Sequence, residues 1–382
     1  MSNFESARFS LLTRLDQIAA QDWDELAGDH VFLRHAFLSA LQESDCASPR
    51  TGWSMNFLLM HRQELLCGAV PLYLKQHSRG EYVFDQAWAQ AYQRHGLAYY
   101  PKLLGAIPFT PVSGTRLLAR NGTDKKLLAQ QLVHLAQDNQ LSSVHVLFPD
   151  PQDRYALEQA GFMIRHDVQF HWLNQNYQDY EQFLASLTQQ KRKKLRQDSR
   201  KIAEQGIVFE HRHGAQISAA ELDYFYQCYA NTYMERGQTP YLSLDFFERL
   251  HLHMPESMVL ILAHQEGRPV ACALLLRDGQ SLYGRYWGCT HYVPGLHFET
   301  CYQQAIRYCV RERLQRFEGG AQGEHKLSRG LLPTPTCSAH WVSDPRFMQA
   351  IQDFLDEEQG HVDRYRDELA AHSPFKTGEP PA

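Results

Sequence analysis

The sequence has no CxxC pair, no apolar run near the roughly eighteen residues of a membrane span, and no surplus of positive charge. Each absence excludes something. Eight cysteines are scattered through 382 residues without paired spacing. That excludes a zinc ribbon or a thioredoxin-type redox motif, and the thiols read as reduced. Cys289, Cys301 and Cys309 fit buried apolar positions. A net charge of −5 supplies no global field for nucleic acid, so DNA is not expected as a partner, although local basic patches can act. The opening stretch, MSNFESARFSLLTRLDQIAA, holds neither an apolar signal core nor a small-residue cleavage site. A cytoplasmic protein is expected. No serine or cysteine sits in a nucleophile elbow, and no cysteine pairs obviously with a histidine.

What is present is enough apolar mass, 43% of the chain, to build the cores of two average domains. The two halves repeat each other. Residues 57–75 and 260–278 both read as β-hairpins, with His61 and His264 in equivalent places. Trp88 is followed after seven residues by Gly96-Leu97, and Trp287 after seven by Gly295-Leu296. Amphipathic helices follow at 124–140 and 298–314, where Leu128, Leu132 and Leu135 match Tyr302, Ile306, Cys309 and Val310 in their spacing. Short strands follow at 142–149 and 314–320. Last, Gly161-Phe162 precedes His171-Trp172 by the spacing with which Gly330-Leu331 precedes His340-Trp341.

The pattern predicts an α/β protein of two copies. One spans residues 1–175 and carries an inserted loop at 99–118. A helical linker covers 176–206 and ends at Gly206. The second copy spans 207–370, closes with a helix broken near Gly360, and leaves a disordered tail at 371–382.

Three segments carry a resemblance: HGLAYYPKLLGAIPFTPVSGTRLL, YGRYWGCTHYVPGLHFETCYQQAI and FEGGAQGEHKLSRG with TCSAHW after it. On these the chain resembles FemAB-like proteins, a bacterial group in the GNAT superfamily of predicted N-acyltransferases linked to peptidoglycan biosynthesis or recognition. The likeness covers roughly residues 10–370. It implies tandem acetyltransferase-like domains, mixed central sheets flanked by helices, and transfer of an acyl or aminoacyl group to a small-molecule amine. Acyl-CoA or aminoacyl-tRNA would be the co-substrate, with no tightly bound cofactor. The phosphate-binding QxxGxG-type loop of simple acetyl-CoA enzymes is not recognisable in either half, which weakens acetyl-CoA as donor. A non-catalytic module that binds cell-wall precursors, or other anionic small molecules, is the alternative.

In FEGGAQGEHKLSRG (317–330), Glu318, Glu324, His325, Lys326 and Arg329 stand among glycines that give backbone access to a ligand. An amine is protonated at neutral pH and must lose a proton to attack, and a carboxylate or imidazole in a partly dry site takes it. Glu324 is the first candidate, His325 the second, and Glu318 an orienting partner. Lys326 and Arg329 suit a phosphate, a carboxylate or an oxyanion. The same stretch also reads as a solvated loop.

A strand at 283–288 sets Arg285 beside Tyr286, and an arginine there needs a counter-charge or an anionic ligand. His297 and Glu299 lie where a strand hands over to a helix, a place that faces donor phosphates in the superfamily; Glu299 also suits a helix dipole. Tyr99, Tyr100, Lys102 and Arg116 belong to the inserted loop, as a grip on an anionic substrate or as a structural cover. KRKKLRQDSRK (191–201) holds seven basic residues. Arg192, Arg196 and Arg200 share a helix face that fits tRNA or another polyanion, or a solvated face. His171 and His340 read as core residues. His211 and His213 alternate, as do His251 and His253, with no third ligand in sight, so no metal is expected.

Overall fold

The computed structural model describes residues 7–321 and 323–376. In chain order the elements are β1 (Arg8–Leu12), α1 (Ala20–Ala27), α2 (His35–Glu43), β2 (Trp53–Met55), β3 (Phe57–Arg62), β4 (Leu65–Val70), β5 (Leu72–Lys75), α3 (Gln86–Arg94), β6 (Lys102–Gly105), β7 (Leu118–Ala119), α4 (Gly122–Asp138), β8 (Ser143–Leu147), α5 (Pro151–Gln159) and β9 (Met163–Leu173). Then come α6 (Tyr180–Ser186), α7 (Gln189–Glu204), β10 (Ile207–His213), α8 (Ala219–Met234), α9 (Leu244–His253), β11 (Met258–Gln265), β12 (Arg268–Arg277), β13 (Ser281–Cys289), α10 (Leu296–Phe298), a π-helical turn (Glu299–Gln303), α11 (Gln304–Arg311), β14 (Arg316–Glu318), β15 (Leu332–Val342) and α12 (Pro345–Ala371).

Two compact units emerge, and they do not follow a linear division of the chain. The first holds the described residues up to Val168 together with Pro335–Arg364. The second holds Gln169–Thr334 and the described residues from Tyr365 onward. Each unit therefore takes strand residues from the far half of the sequence. A linear reading could not see this, because hydrophobic patterning shows that a strand exists but not which partner it takes.

Within the first unit the strands run β1-β3-β4-β7 in one sheet and β15-β8-β6-β5-β2 in another. Its core gathers Leu58, Val70, Leu103, Leu128, Val146 and Trp341. The helix α4 starts where the Asn121 side chain accepts the Asp124 amide at 2.9 Å, which satisfies one of the free donors at a helix start. Within the second unit the order is β10-β11-β12-β13-β14-β9. The apolar runs of β11 and β12 are buried along most of their length. A capping box of Ser218 and Glu221 starts α8. That helix comes so close to β13 that a Cβ on Gly288 would lie 2.2 Å from the Cys228 carbonyl oxygen.

The units share a topology, so the chain is a tandem α/β protein, with mixed sheets flanked by helices. The hairpins β3–β4 and β11–β12 both shift register at the histidine, between Met60 and His61 and between Ala263 and His264. The strand after the long helix pairs antiparallel with the His-Trp strand in both, placing His340 opposite His145 and His171 opposite Glu318. On its other side that strand has a parallel neighbour, β6 for β8 and β13 for β14.

One expected match fails. Trp88 lies on α3, between β5 and β6, whereas Trp287 lies on β13. Equal spacing to a Gly-Leu pair arose in a helix in one half and in a strand and loop in the other. The inserted segment is also placed differently. Lys102–Gly105 is a strand, and the chain departs after it to return as β7, paired with β4. Continuous helix runs through Gly360, since one glycine costs only about 1 kcal/mol in a helix. Part of the expected tail is ordered: Phe375 bridges to Leu187, and the Thr188 amide donates to the Pro374 carbonyl at 2.9 Å. Residues 377–382 of that tail lie outside the described residues. Among the described residues no helix is long and apolar enough to cross a membrane.

Candidate functional site

In the second unit β13 and β14 pair in parallel only from Ser281 to Tyr283, against Arg316 to Glu318. A cavity of about 140 Å³ opens where this pairing ends. Backbone with little side chain lines one side of it, at Gly284, Gly319 and Gly320, and the bulky wall is Tyr286, Trp287 and Phe317. The glycines are needed there. A Cβ on Gly319 would stand 2.8 Å from Leu331 and 3.2 Å from Tyr302, and Gly320 has φ +88°.

His297, Cys301 and Tyr302 reach the cavity from the helical segment. The π turn at Glu299–Gln303 widens the helix there, so side chains four and five residues apart face one space. Burial, then the positive charges of the neighbouring His325, Arg329 and Lys326, holds His297 down to about 4. The imidazole is thus neutral at physiological pH. Burial also pushes the Cys301 thiol well above its ordinary range. Arg285 lines the cavity too, and its guanidinium donates to the Tyr286 hydroxyl at 3.3 Å.

The glycine-rich stretch divides in two. Gly319 and Gly320 line the cavity directly. The rest forms a short helical turn over Glu324–Arg329. Lys326 is buried and donates from Nζ to the Gly320 carbonyl at 2.7 Å. His325 is 3.2 Å from the Tyr302 hydroxyl through Nε2, and burial with Arg329 and Lys326 lowers its pKa. Arg329 lies 3.8 Å over the Phe298 ring and donates to the His325 carbonyl.

Two candidates from this stretch sit differently from expectation. Glu324 is exposed rather than in a dry site, and its carboxylate accepts from the Tyr365 hydroxyl at 3.0 Å. Glu318 is buried among Arg316 at 3.2 Å and His171 at 3.8 Å, one residue before the cavity floor. Glu299 is buried as well and does not line the cavity. Ser199 on α7 donates to it at 2.7 Å and Gln304 at 2.9 Å, which ties α7 to the π turn.

Burial gives Lys326 a pKa of about 8 against an ordinary 10.5. Between those values the unfolded chain keeps a proton that the folded protein has released, so this group makes stability rise with pH across that window. The span corresponds to an order of 3 kcal/mol. Urea unfolding of wild type and Lys326→Met should show the wild-type stability gaining on the variant from pH 8 to 10.5. A pH-independent difference would mean that the ammonium is solvated.

The residues of the first unit form a different feature. Lys102 is fully buried and donates to Ser78 and Glu81, each at 2.8 Å, and to Asp85. The Tyr99 hydroxyl donates to Asp85 at 2.6 Å and meets His145 Nε2 at 3.0 Å. Tyr100 bonds Ser78 at 2.8 Å. Arg116 is also fully buried, and its guanidinium donates to the Thr115 and Val112 carbonyls. Lys102 and Arg116 therefore hold the interior of this unit together, which corrects the expectation that they grip a substrate. Tight satisfaction of a charge by near neighbours cannot be read from its position in a sequence.

On α7, Arg192, Arg196 and Arg200 share one open face with Gln189, Lys193 and Gln197. Arg196 pairs with Glu181 at 2.5 Å and Arg200 with Glu204 at 3.3 Å, both as exposed pairs. Such pairs are weak and yield readily to a ligand. Sequence reasoning missed Tyr302 and Cys301, which it read as apolar positions of an amphipathic helix. An aromatic so near the Gly-Leu-His-Phe turn was the available signal.

The FemAB-like family model, described as peptidoglycan biosynthesis/recognition, matches residues 14–377. Among curated proteins no relative matches. Among solved structures the chain is similar to FemX, at 12% identity and a TM-score of 0.54, with 88% of this chain and 98% of that one covered. It is similar to the C-terminal domain of a putative lysylphosphatidylglycerol synthetase from Agrobacterium fabrum, at 9% identity and 0.54, covering 88% and 95%. A conserved protein of unknown function from Bacteroides thetaiotaomicron matches at 13% identity and 0.53, covering 88% and 100%. At such identities the structures establish the fold, and the family model, spanning nearly the whole sequence, establishes that this chain belongs to the FemAB-like family.

Proposed function

We propose that this protein is an N-acyltransferase that moves an acyl or aminoacyl group from an activated donor to an amine by direct attack in a ternary complex. The observation that carries this reading is the cavity at the end of the β13–β14 pairing, with neutral His297 on one wall and Arg285 and Lys326 close by. The amine nitrogen attacks the acyl carbonyl carbon. His297 takes the proton that the nitrogen loses, and the cations balance the charge that develops on the carbonyl oxygen. The donor's leaving group departs with the bonding electron pair. Cys301 is not a nucleophile here, because burial keeps it a thiol.

This reading moves the proton acceptor from Glu324 to His297, keeps His325 as a partner of Tyr302, and gives Arg329 a supporting position over Phe298. The donor is an acyl-CoA or an aminoacyl-tRNA, both polyanions suited to the basic face of α7. The acceptor is a small amine, in keeping with the family's link to peptidoglycan. The test is turnover: purified protein is incubated with each donor class and amine-bearing cell-wall precursors, and the amide product is followed by mass spectrometry. Product above one equivalent per protein supports the transferase. Precursor binding without product from any donor would leave a binding module instead.

Reversing the charge of Arg192, Arg196 and Arg200 to Glu should weaken donor binding and flatten its salt dependence, since each lost phosphate contact removes roughly one unit of log–log slope. An unchanged donor KM and slope would make this helix a solvated face.

A further inference from the structure

The turn that carries His325 and Lys326 has little of its own to keep its place. Glu324–Arg329 is one short 3₁₀ run, a geometry with poor hydrogen bonds. Glycines stand before it at 320 and 323 and after it at 330, and each adds backbone freedom that ordering must remove. Lys326 donates to Gly320, and Ser328 and Arg329 donate to the His325 carbonyl, so these bonds close the segment on itself. The contacts that anchor its two ends come from far along the chain. Residues 365–376, in the same compact unit, meet both. At the start of the turn the Tyr365 hydroxyl donates to Glu324 at 3.0 Å. At its end Gly330 lies against two rings: a Cβ there would stand 2.8 Å from Phe183 and 3.6 Å from Phe375. The C-terminal stretch is itself pinned to the junction of α6 and α7. Phe375 bridges to the fully buried Leu187, the Thr188 amide donates to the Pro374 carbonyl at 2.9 Å, and the Lys376 amide donates to the Ser186 carbonyl at 3.1 Å. Leu369 and Pro374 are buried with it.

We propose that residues 365–376 form a strap that positions the Glu324–Arg329 turn beside the cavity, with Tyr365 and Phe375 as its positioning residues. What the strap does for catalysis rests on the transferase reading, whereas its hold on the turn does not. The turn seats the His325 ring 3.2 Å from the Tyr302 hydroxyl and 5.3 Å from Phe298, and it sets the Lys326 ammonium against Gly320 at the cavity wall. Both placements depend on where the turn sits, and a displacement of about 1 Å can cost about 10²-fold in rate.

Hydrogen exchange of the full chain reads the hold without any need for turnover. Three amides report on the turn: Lys326, bonded to the Gly323 carbonyl, Gly330, bonded to Leu327, and Leu331, bonded to Lys326. Phe375→Ala should speed their exchange at least about tenfold, and Phe375→Leu, which refills most of the space, should recover most of the protection. Tyr365→Phe loses only the hydroxyl and should speed Lys326 by roughly a few-fold. The amides of β11 and β12 should exchange as in wild type throughout. If Phe375→Ala does not fold, Tyr365→Phe still decides. Wild-type exchange at the three amides overturns the proposal, and so does faster exchange that spreads over β11 and β12. Turnover is measured separately. With an active donor pair, Phe375→Ala should lower kcat by about ten- to a hundredfold and leave the donor KM within about twofold. An undiminished kcat overturns the positioning role. If no donor gives product, the transferase reading fails, and the exchange rates still decide the strap.

Discussion

Replacing His297 with glutamine is expected to lower kcat by about 10²–10⁴-fold, the usual contribution of a general base, with the melting curve little changed. The ring lines the cavity and packs 5.3 Å from Trp287 and 5.8 Å from Tyr302, so an amide of similar length can fill its place. The pH profile adds a check. Because His297 is held to about 4 by burial and its cationic neighbours, it stays unprotonated through the neutral range. The acid limb of kcat should therefore lie near pH 4 and vanish in the variant. A limb well above that, retained in His297→Gln, would shift the role to His325, which is less buried. Glu324→Gln serves as the contrast. That carboxylate is exposed and bonded to Tyr365, and its loss should change kcat no more than a few-fold.

The largest expected loss of stability comes from Lys102→Ala. The side chain is fully buried with Glu81 and Asp85 as its partners. Removing it leaves Asp85 with the Tyr99 hydroxyl at 2.6 Å and Glu81 with Lys75 at 4.0 Å as their remaining partners, and breaking such a buried pair costs about 3–5 kcal/mol. Thermal and urea midpoints of the variant should both fall by an amount that matches. The network also has a pH signature. Burial alone would raise Asp85, but Lys102, then His145 and the hydrogen bonds from Lys102 and Tyr99, hold it far below the ordinary carboxylate range. A carboxylate lowered in the folded state contributes stability above its unfolded value of about 3.9 and loses it as pH falls. Wild type should therefore lose the Asp85 contribution in acid, partly offset by Glu81, whose pKa burial raises. A wild-type acid limb no steeper than that of Lys102→Ala would mean that the pair is hydrated and worth little.

The two units place polar pairs at matching positions, His145 with His340 and His171 with Glu318. Beside them the units diverge. In the second, the end of the parallel pairing leaves the cavity, and in the first the chain after Gly105 departs into a largely buried segment.

What the sequence determined by itself is local. Apolar spacing marked α4 and α11, the paired hairpins marked β3–β4 and β11–β12, and Gly206 marked the end of α7, because each depends on near neighbours and on backbone preference. The same reading singled out Arg285, His297, His325 and Lys326 by residue type. Only the tertiary structure decided what they touch. Gly319 matters because a Cβ there would come 2.8 Å from Leu331 and 3.2 Å from Tyr302, and Gly284 because one would come 3.3 Å from Phe317, 33 positions along the chain. The π turn that aims Tyr302 at the cavity leaves the helical pattern of the sequence nearly intact. Lys102 and Lys326 are the same residue type, yet two buried acids neutralise one and a backbone carbonyl holds the other. Burial and long-range partners set the chemistry of a charge, and neither is written in its neighbourhood along the chain.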